Sequence, residues 1–438
     1  MSCPTITTAD DCWQLLCALA GPAAAKQAPQ SDAAIARTRR LLAAVGEPQL
    51  GLRIAHIAGS KGKGSTALLL EALARAAGCR VGTFTSPHLQ RWQERIRIDG
   101  RDADDALLVD CFEALRPAVA ALAASALGAP RFFELLTAAA LLAFARSGVE
   151  LAIVEAGIGG RLDATNLVQP ALCAITSIEG EHLDKLGPTL ADVAAHKAGI
   201  LKPGAPAVIG RLPREAAALV AARGAAANAP LRWLGEDFNC VDCKAGARFS
   251  AGAISADFDF PGNRGPMRDN AALALMAAQL LELGRLPQVA ATAFAGLRLP
   301  GRCELLARAP MRVVDGAHTA ASARALAAAL DDFGAARRHF VLSFSAGKDW
   351  PAVLAALAPQ AATIWLTRAD ADYSLPADEL QIDTGLLGAA RLSRCDAPAD
   401  ALAKAVAGAG AGDLVCATGS VYMAGFARRE WCAAHDGG

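Results

Sequence analysis

The sequence has no excess of either charge: 43 Lys and Arg balance 43 Asp and Glu, a formal net charge of +0 over 438 residues. Without a basic surplus a general polyanion-binding surface is excluded, and nucleic acid is not an expected partner. Uninterrupted apolar runs are also missing, because Arg, Glu, Asp, Gly or Pro breaks each Ala/Leu stretch before it reaches the length that spans a bilayer. The opening Met-Ser-Cys-Pro-Thr carries no basic segment followed by an apolar one, so a soluble cytoplasmic protein with no membrane partner is expected. Cysteine clusters are absent. The 12 cysteines are scattered through apolar segments, as at Cys79, Cys111, Cys173 and Cys416, which reads as reduced, buried thiols. Cys240-Val-Asp-Cys243 is a lone C-x-x-C with no second pair nearby, so a plain loop or strand edge is expected there and no zinc site. No fixed-period repeat is visible.

What is present is apolar material, 53% of the residues, in a chain long enough for two cores. Apolar strand candidates lie at Arg53–Ala58, Arg80–Thr85, Leu151–Glu155, Ala171–Thr176 and Ala207–Gly210, separated by Ala/Leu-rich stretches of helical length. That alternation predicts an α/β fold with a mainly parallel sheet covered by helices. Residues Gly235 to Phe260 alternate differently and predict short antiparallel strands before a helix near Asn270. Leu299-Pro300-Gly301 punctuates the chain, and a second series follows at Met311–Val314, His339–Ser343, Thr363–Thr367 and Asp413–Ala417. The domain boundary is placed at about residue 298, with a hinge at Pro300 and Gly301.

The richest stretch is His-Ile-Ala-Gly-Ser-Lys-Gly-Lys-Gly-Ser at 56 to 65, a glycine turn between an apolar strand and a helix. Gly59, Gly62 and Gly64 allow backbone N–H groups to converge on phosphate oxygens at the positive helix end, Lys63 adds charge, and Ser65 can bind Mg²⁺. The spacing departs from the strict G-x-x-x-x-G-K-[ST] form, since Ile57 stands at its first position and Gly64 separates Lys63 from Ser65. A merely flexible turn is the competing reading, disfavoured by two lysines among three glycines. Further clusters end predicted strands, where α/β proteins bind ligands. They are Thr85-Ser86-Pro87-His88 with Glu94-Arg95 beyond it, Glu155 opening a glycine-rich turn that carries Arg161, Asp163 and Asn166, and Thr176 to His182. A carboxylate at Glu155 suits Mg²⁺ beside phosphates, and Ser86, Glu155 and His182 together suggest a shared metal site. Gly157-x-Gly159-Gly160 fails the dinucleotide spacing. An isolated Lys197 would read as a solvated helix charge, and Asp315-Gly-Ala-His318 as a strand-ending turn with a helix cap. Phe132 and Phe133 beside Glu134 suit a flat heterocycle bearing amino groups, although two phenylalanines opening an apolar helix equally suit the core.

In these motifs the chain resembles the folylpolyglutamate synthase/dihydrofolate synthase family, a branch of the Mur ligases. The resemblance is carried by HIAGSKGKGS, TSPHL with ERI, FFELLTAA, EAGIGGRLDATN, ITSIEGEH, HKAGILKPG, LPGRCE, DGAH and ATGSVYMAG, in the family order. It implies a Mur-ligase-like P-loop ATP-binding domain at 1–298 and a smaller Rossmann-like ligase domain at 299–438. It implies an ATP-dependent, ADP-forming ligase that phosphorylates a folate or dihydropteroate carboxylate and lets the amine of L-glutamate attack the acyl phosphate, in a monomer. Site residues follow by the same resemblance. Gly59, Ser60, Lys61, Gly62, Lys63, Gly64 and Ser65 surround the phosphates, and Lys63 is the main clamp. Ser86, Glu155 and His182 hold Mg²⁺, and Lys197 carries a carbamate able to help bind a second ion. Asn270 contacts the adenine, Arg302 the phosphates and Asp315 the ribose, while His318 lies near the phosphates and the second domain closes over ATP. Phe132, Phe133, Glu134, Leu162, Asp163 and Ala164 line the pterin pocket. This chain departs from the family pattern at Lys61, where many bacterial members have Asn, at His196 and Thr319, where Glu and Asn are usual, and around Arg264. The departures motivate a second reading, a Mur-type amide ligase for a different carboxylic acid and amino acid. A nucleotide-binding module without catalysis is the third.

Overall fold

The computed structural model describes residues 5–20, 31–244, 246–260 and 266–433. The chain divides into two compact units, one of Met1–His88, Trp92–Asp259 and Met267–Ala295, the other of Leu89–Arg91, Phe260–Pro266 and Gly296–Gly438.

The first unit is built on an eight-stranded sheet. Its strands are β1 (Ile54–Ala58), β2 (Val81–Phe84), β3 (Ile96–Ile98), β4 (Arg101–Asp102), β5 (Leu151–Glu155), β6 (Leu172–Ile175), β7 (Ala207–Ile209) and β8 (Leu231–Trp233). They run in the order β4-β3-β2-β5-β1-β6-β7-β8, parallel from β2 to β8, with β3 and β4 antiparallel at one edge. Every residue of β1, β2, β5 and β6 is buried, which explains their continuous apolar spelling: a parallel strand covered on both faces has no polar side to show. In register, Ile57 lies opposite Glu155 and Ala58 opposite Ile175, so the turns that leave β1, β5 and β6 emerge at one edge of the sheet. Open α/β sheets bind ligands at such carboxyl ends.

After β8 the chain forms a separate antiparallel meander of β9 (Asn239–Cys243), β10 (Gly246–Ala251) and β11 (Ile254–Phe258). Alternating side chains are buried, Ala247 and Phe249 from β10 and Ala256 and Phe258 from β11, and Phe258 packs on Phe294 of the helix Leu286–Phe294 with ring centroids 5.2 Å apart. Cys240 and Cys243 stand in β9 as free thiols, and burial pushes the Cys240 thiol up to about 12.

The second unit carries a six-stranded sheet of β12 (Glu304–Arg308), β13 (Met311–Val314), β14 (Arg338–Leu342), β15 (Thr363–Leu366), β16 (Arg391–Arg394) and β17 (Leu414–Thr418). Its order is β12-β13-β17-β14-β15-β16, with only the β12–β13 pair antiparallel. Five of its six strands are thus arranged as a doubly wound parallel sheet, with Phe340, Leu342, Phe344 and Leu354 among the buried residues of one face. Both units therefore have the α/β architecture that the alternation of elements predicts. The strands that patterning does not predict, β3, β4, β8, β12 and β16, are short or lie at or next to an edge and each carries arginine, so neither period is clear in them. The helix expected near Asn270 begins at Pro266.

Candidate active site

The glycine turn leaves β1 and opens the helix Lys63–Ala76. Gly62 caps that helix at φ +84° with no side-chain cap, which leaves the first-turn N–H groups directed outward for an anion. The position also has no room for a side chain, since a Cβ at Gly62 would lie 2.1 Å from the Asn270 Oδ1 and one at Gly59 only 1.9 Å from the Thr176 Oγ1. Asn270 thereby packs against the turn. The segment after β6 pins the loop: Ser60 N–H donates to the Ser177 carbonyl at 2.8 Å, Lys61 N–H to the Ser177 Oγ at 2.9 Å, and the Thr176 hydroxyl to the Lys61 carbonyl at 2.5 Å.

Charges gather on this edge. Lys63 Nζ donates to the Gly59 carbonyl at 3.0 Å and lies 3.9 Å from Glu155 Oε1. Glu155, its side chain 2% exposed, accepts the Ser86 N–H at 2.9 Å, and a Cβ at Gly64 would stand 3.3 Å from its Oε2. Ser65 is buried just inside the helix. Ser86, Glu155 and the helix start are therefore one locus. His182 adopts left-handed backbone and heads the short helix Leu183–Leu186 in the segment that pins the loop. Among the described residues no three His, Cys, Asp or Glu side chains stand close enough to hold an ion by themselves. A Mg²⁺ here would thus draw on the Ser86 and Glu155 oxygens and the His182 imidazole, together with phosphate oxygens and water, a set dominated by the hard oxygens that suit it.

Sequence patterning missed Glu181. Its carboxylate takes the Lys61 ammonium at 2.8 Å and stands 3.7 Å from Lys197 Nζ. Burial pushes this carboxyl up, but Lys61, Lys197 and Lys63 outweigh burial and hold it below its usual value. Lys197 is not the solvated charge an isolated lysine would be: its side chain is 2% exposed, and burial first, then repulsion from Lys63, lowers it to about 7. The only early signal for Glu181 was its place beside His182, because its partners lie 120 and 16 residues away in sequence. His196 is buried too and fixes the glycine turn after β5 by accepting the Arg161 N–H on its carbonyl at 2.8 Å.

Beside this locus lies a cavity of about 480 Å³. Its wall contains Phe132, Phe133, Glu134, Leu162, Asp163 and Ala164, and it contains Ser86 as well. Phe133 leans on Phe84 at 5.5 Å, while Phe132 meets Trp13 edge-on and carries the Arg95 guanidinium 5.2 Å above its ring. The two phenylalanines are at once cavity wall and rim of the core. Asp163 accepts from Ile158 N–H, Thr165 N–H and the Thr165 hydroxyl, and burial pushes its carboxyl up against those bonds. Glu134 is committed elsewhere: Arg37 holds it through two bonds of 2.7 and 2.6 Å, and Arg131 N–H adds a third at 3.0 Å. The expectation that Glu134 offers an open carboxylate to amino groups therefore meets a residue already engaged by protein donors.

In the second unit, Arg302, Asp315 and His318 come together around Gly316. Arg302 Nη1 donates to the Gly301 carbonyl and would stand 2.8 Å from a Cβ at Gly316; the His318 Nδ1 lies 2.8 Å from the Gly316 carbonyl. Asp315 accepts the Cys303 and Ala317 N–H groups, and burial pushes its carboxyl up while Arg302 pulls it down. Thr319 caps the helix Ala320–Leu330 by accepting the Ser322 N–H. Arg264 lies outside the described residues.

The Mur ligase glutamate ligase domain matches residues 301–421. The dihydrofolate synthase/folylpolyglutamate synthase of Bacillus subtilis is 35% identical over 330 residues, which cover 72% of this chain and 76% of that one. A probable bifunctional folylpolyglutamate synthase/dihydropteroate synthase of Halobacterium salinarum is 34% identical over 90% of this chain, but the chain spans about half the length of that relative, 49%. Among solved structures, E. coli FolC in complex with DHPP and ADP superposes with a TM-score of 0.85 at 26% identity, covering 98% of this chain and 99% of that one.

Proposed function

Because this chain belongs to the folylpolyglutamate synthase/dihydrofolate synthase family, we propose that it joins L-glutamate to the carboxylate of a folate or dihydropteroate, with ATP cleaved to ADP. One observation carries the reading: the aromatic cavity suited to the acid and the edge suited to polyphosphate share Ser86, whose backbone N–H is bound to Glu155. An acid in that cavity reaches the phosphates at its Ser86 end.

Carboxylate oxygen leaves poorly, whereas phosphate leaves readily, so the acid is first phosphorylated and the amine then displaces phosphate. Little of this needs covalent help from the protein, and positioning and charge neutralisation supply most of the rate. Gly59 to Ser65 present N–H groups to the phosphates. Lys63, with Lys61 alongside, neutralises charge that grows on the oxygens in the transition state. Bound Mg²⁺ would supply Lewis acidity at the transferred phosphate, and Ser86, Glu155 and His182 are the residues that would hold it. Lys197, near neutrality at physiological pH, supports a carbamate there, since a free amine and not an ammonium reacts with carbon dioxide. Asn270 serves the adenine, and Arg302, Asp315 and His318 form the second unit's ligand-facing polar cluster. No helix among the described residues is long and apolar enough to cross a membrane, and we further propose a monomer acting in the cytoplasm.

A Mur-type ligase for another carboxylic acid is the second reading, favoured by the engagement of Glu134 with Arg37. Product mass analysis after incubation with ATP, L-glutamate and a panel of pterin acids separates the two. A pterin acid gaining one or more glutamates supports the first; ADP release with non-pterin acids only supports the second.

A further inference from the structure

One guanidinium ties together three segments beside the cavity. Arg37 projects from the helix Asp32–Ala44 and meets Glu134, at the third position of the helix Phe132–Arg146, with Nε and Nη2 at 2.7 and 2.6 Å. Its remaining nitrogen, Nη1, donates to the Leu127 carbonyl at 3.2 Å in the connection that leads into that helix. The two side chains are 8% and 4% exposed, and they lie 97 residues apart in sequence. Both line the cavity.

The geometry of Glu134 decides what the pair does. A carboxylate has about four lone-pair sites. Arg37 Nε and Arg131 N–H fill Oε2, and Arg37 Nη2 takes one site of Oε1, so three are filled by the protein. The carboxylate thus locks the first turn of a helix whose first two residues are Phe132 and Phe133, the aromatic wall. A planar fork sets direction as well as distance, which a point charge cannot do.

Resting on the ligase reading, we propose that Arg37 is a positioning residue for the acid substrate, acting through Glu134 to hold the Phe132–Phe133 wall against a flat aromatic acid. The helix Asp32–Ala44 thereby takes part in acid selection although none of the sequence motifs falls on it. None of these contacts involves Gly59 to Ser65, the turn read as the phosphate site.

The test compares the wild type with Arg37→Lys, Arg37→Met, Arg37→Glu and the exchange variant Arg37→Glu/Glu134→Arg. Steady-state rates are measured with the pterin acid the wild type accepts, and ADP binding is titrated separately. In Arg37→Lys the KM for the acid rises about tenfold or more, while the KM for ATP, ADP affinity and kcat at saturating acid change less than about twofold, the pattern of lost ground-state binding. The exchange variant binds the acid more tightly than Arg37→Glu alone, as a directly coupled pair requires. If Arg37→Met does not fold, Arg37→Lys carries the test because it retains the charge and most of the stem. An unchanged KM for the acid in folded Arg37→Lys overturns the proposal. So does an equal loss of ADP affinity, which would make the pair a general structural support. A wild type that makes no product with any pterin acid overturns the ligase reading, and this inference with it; an active wild type with an unaffected Arg37→Lys overturns the inference alone.

Discussion

At the start of β17 in the six-stranded sheet, buried Asp413 is answered on every side, accepting from Arg337, His339 and the Gly410 N–H at 2.8, 3.3 and 2.7 Å. In the eight-stranded sheet, buried Lys197 has its carboxylate partner at 3.7 Å and like charge from Lys61 and Lys63 beside it. The outcomes differ accordingly. Asp413 is held down to about 2, first by its hydrogen bond to Arg337, so it stays ionised through the physiological range. Lys197 falls to about 7, where it exists in both forms. A buried charge answered on every side reads as scaffold, while one left near neutrality by its surroundings marks a candidate functional site.

That contrast can be broken at four points. Lys63→Ala should have the largest effect, lowering ligation on the order of 10²–10³-fold or more, because transition-state charge loses its clamp while the backbone bonds that pin the turn are kept. Turnover and circular dichroism measured together check it, and wild-type rates would remove the clamp assignment. Glu155→Ala, which removes a direct ligand, should next raise the Mg²⁺ requirement by about 10-fold at the least in a magnesium titration of the rate; an unmoved titration curve would relocate the metal site. Asp413→Ala should behave oppositely, costing about 3 kcal/mol of stability through His339 and the Gly410 N–H left unanswered. Its folded fraction should keep kcat within about twofold, checked by denaturant melts beside active-site titration.

The smallest effect concerns pH. The lowered lysine means that between about 7 and the ordinary lysine value the unfolded chain binds more protons than the folded one, so stability rises with pH through that window. Melting temperatures should therefore climb between pH 7 and pH 10 more steeply in the wild type than in Lys197→Met. Parallel curves would contradict the shift.

The sequence made the central strands legible because burial on both faces gives them an unbroken apolar spelling, as in Leu151–Glu155, found where expected. The glycine turn after β1 was legible for a related reason, since only glycine fits at Gly59 and Gly62. Edge strands such as β16, spelled Arg-Leu-Ser-Arg, gave no such signal, being half exposed and held by one neighbour. Glu181 and Arg37 were illegible for a different reason. Each owes its role to a partner about a hundred residues distant, and only the fold brings 61 to 181 or 37 to 134. The cavity wall at Phe132 and Phe133 could be named from the motif, but its commitment of Glu134 to Arg37 could not.

The most direct measurement follows oxygen. With the substrate acid labelled in its carboxylate and incubated with ATP, Mg²⁺ and L-glutamate, one labelled oxygen should appear in the inorganic phosphate for each amide formed. Phosphate released without label, while labelled amide accumulates, would contradict activation of the acid by phosphorylation.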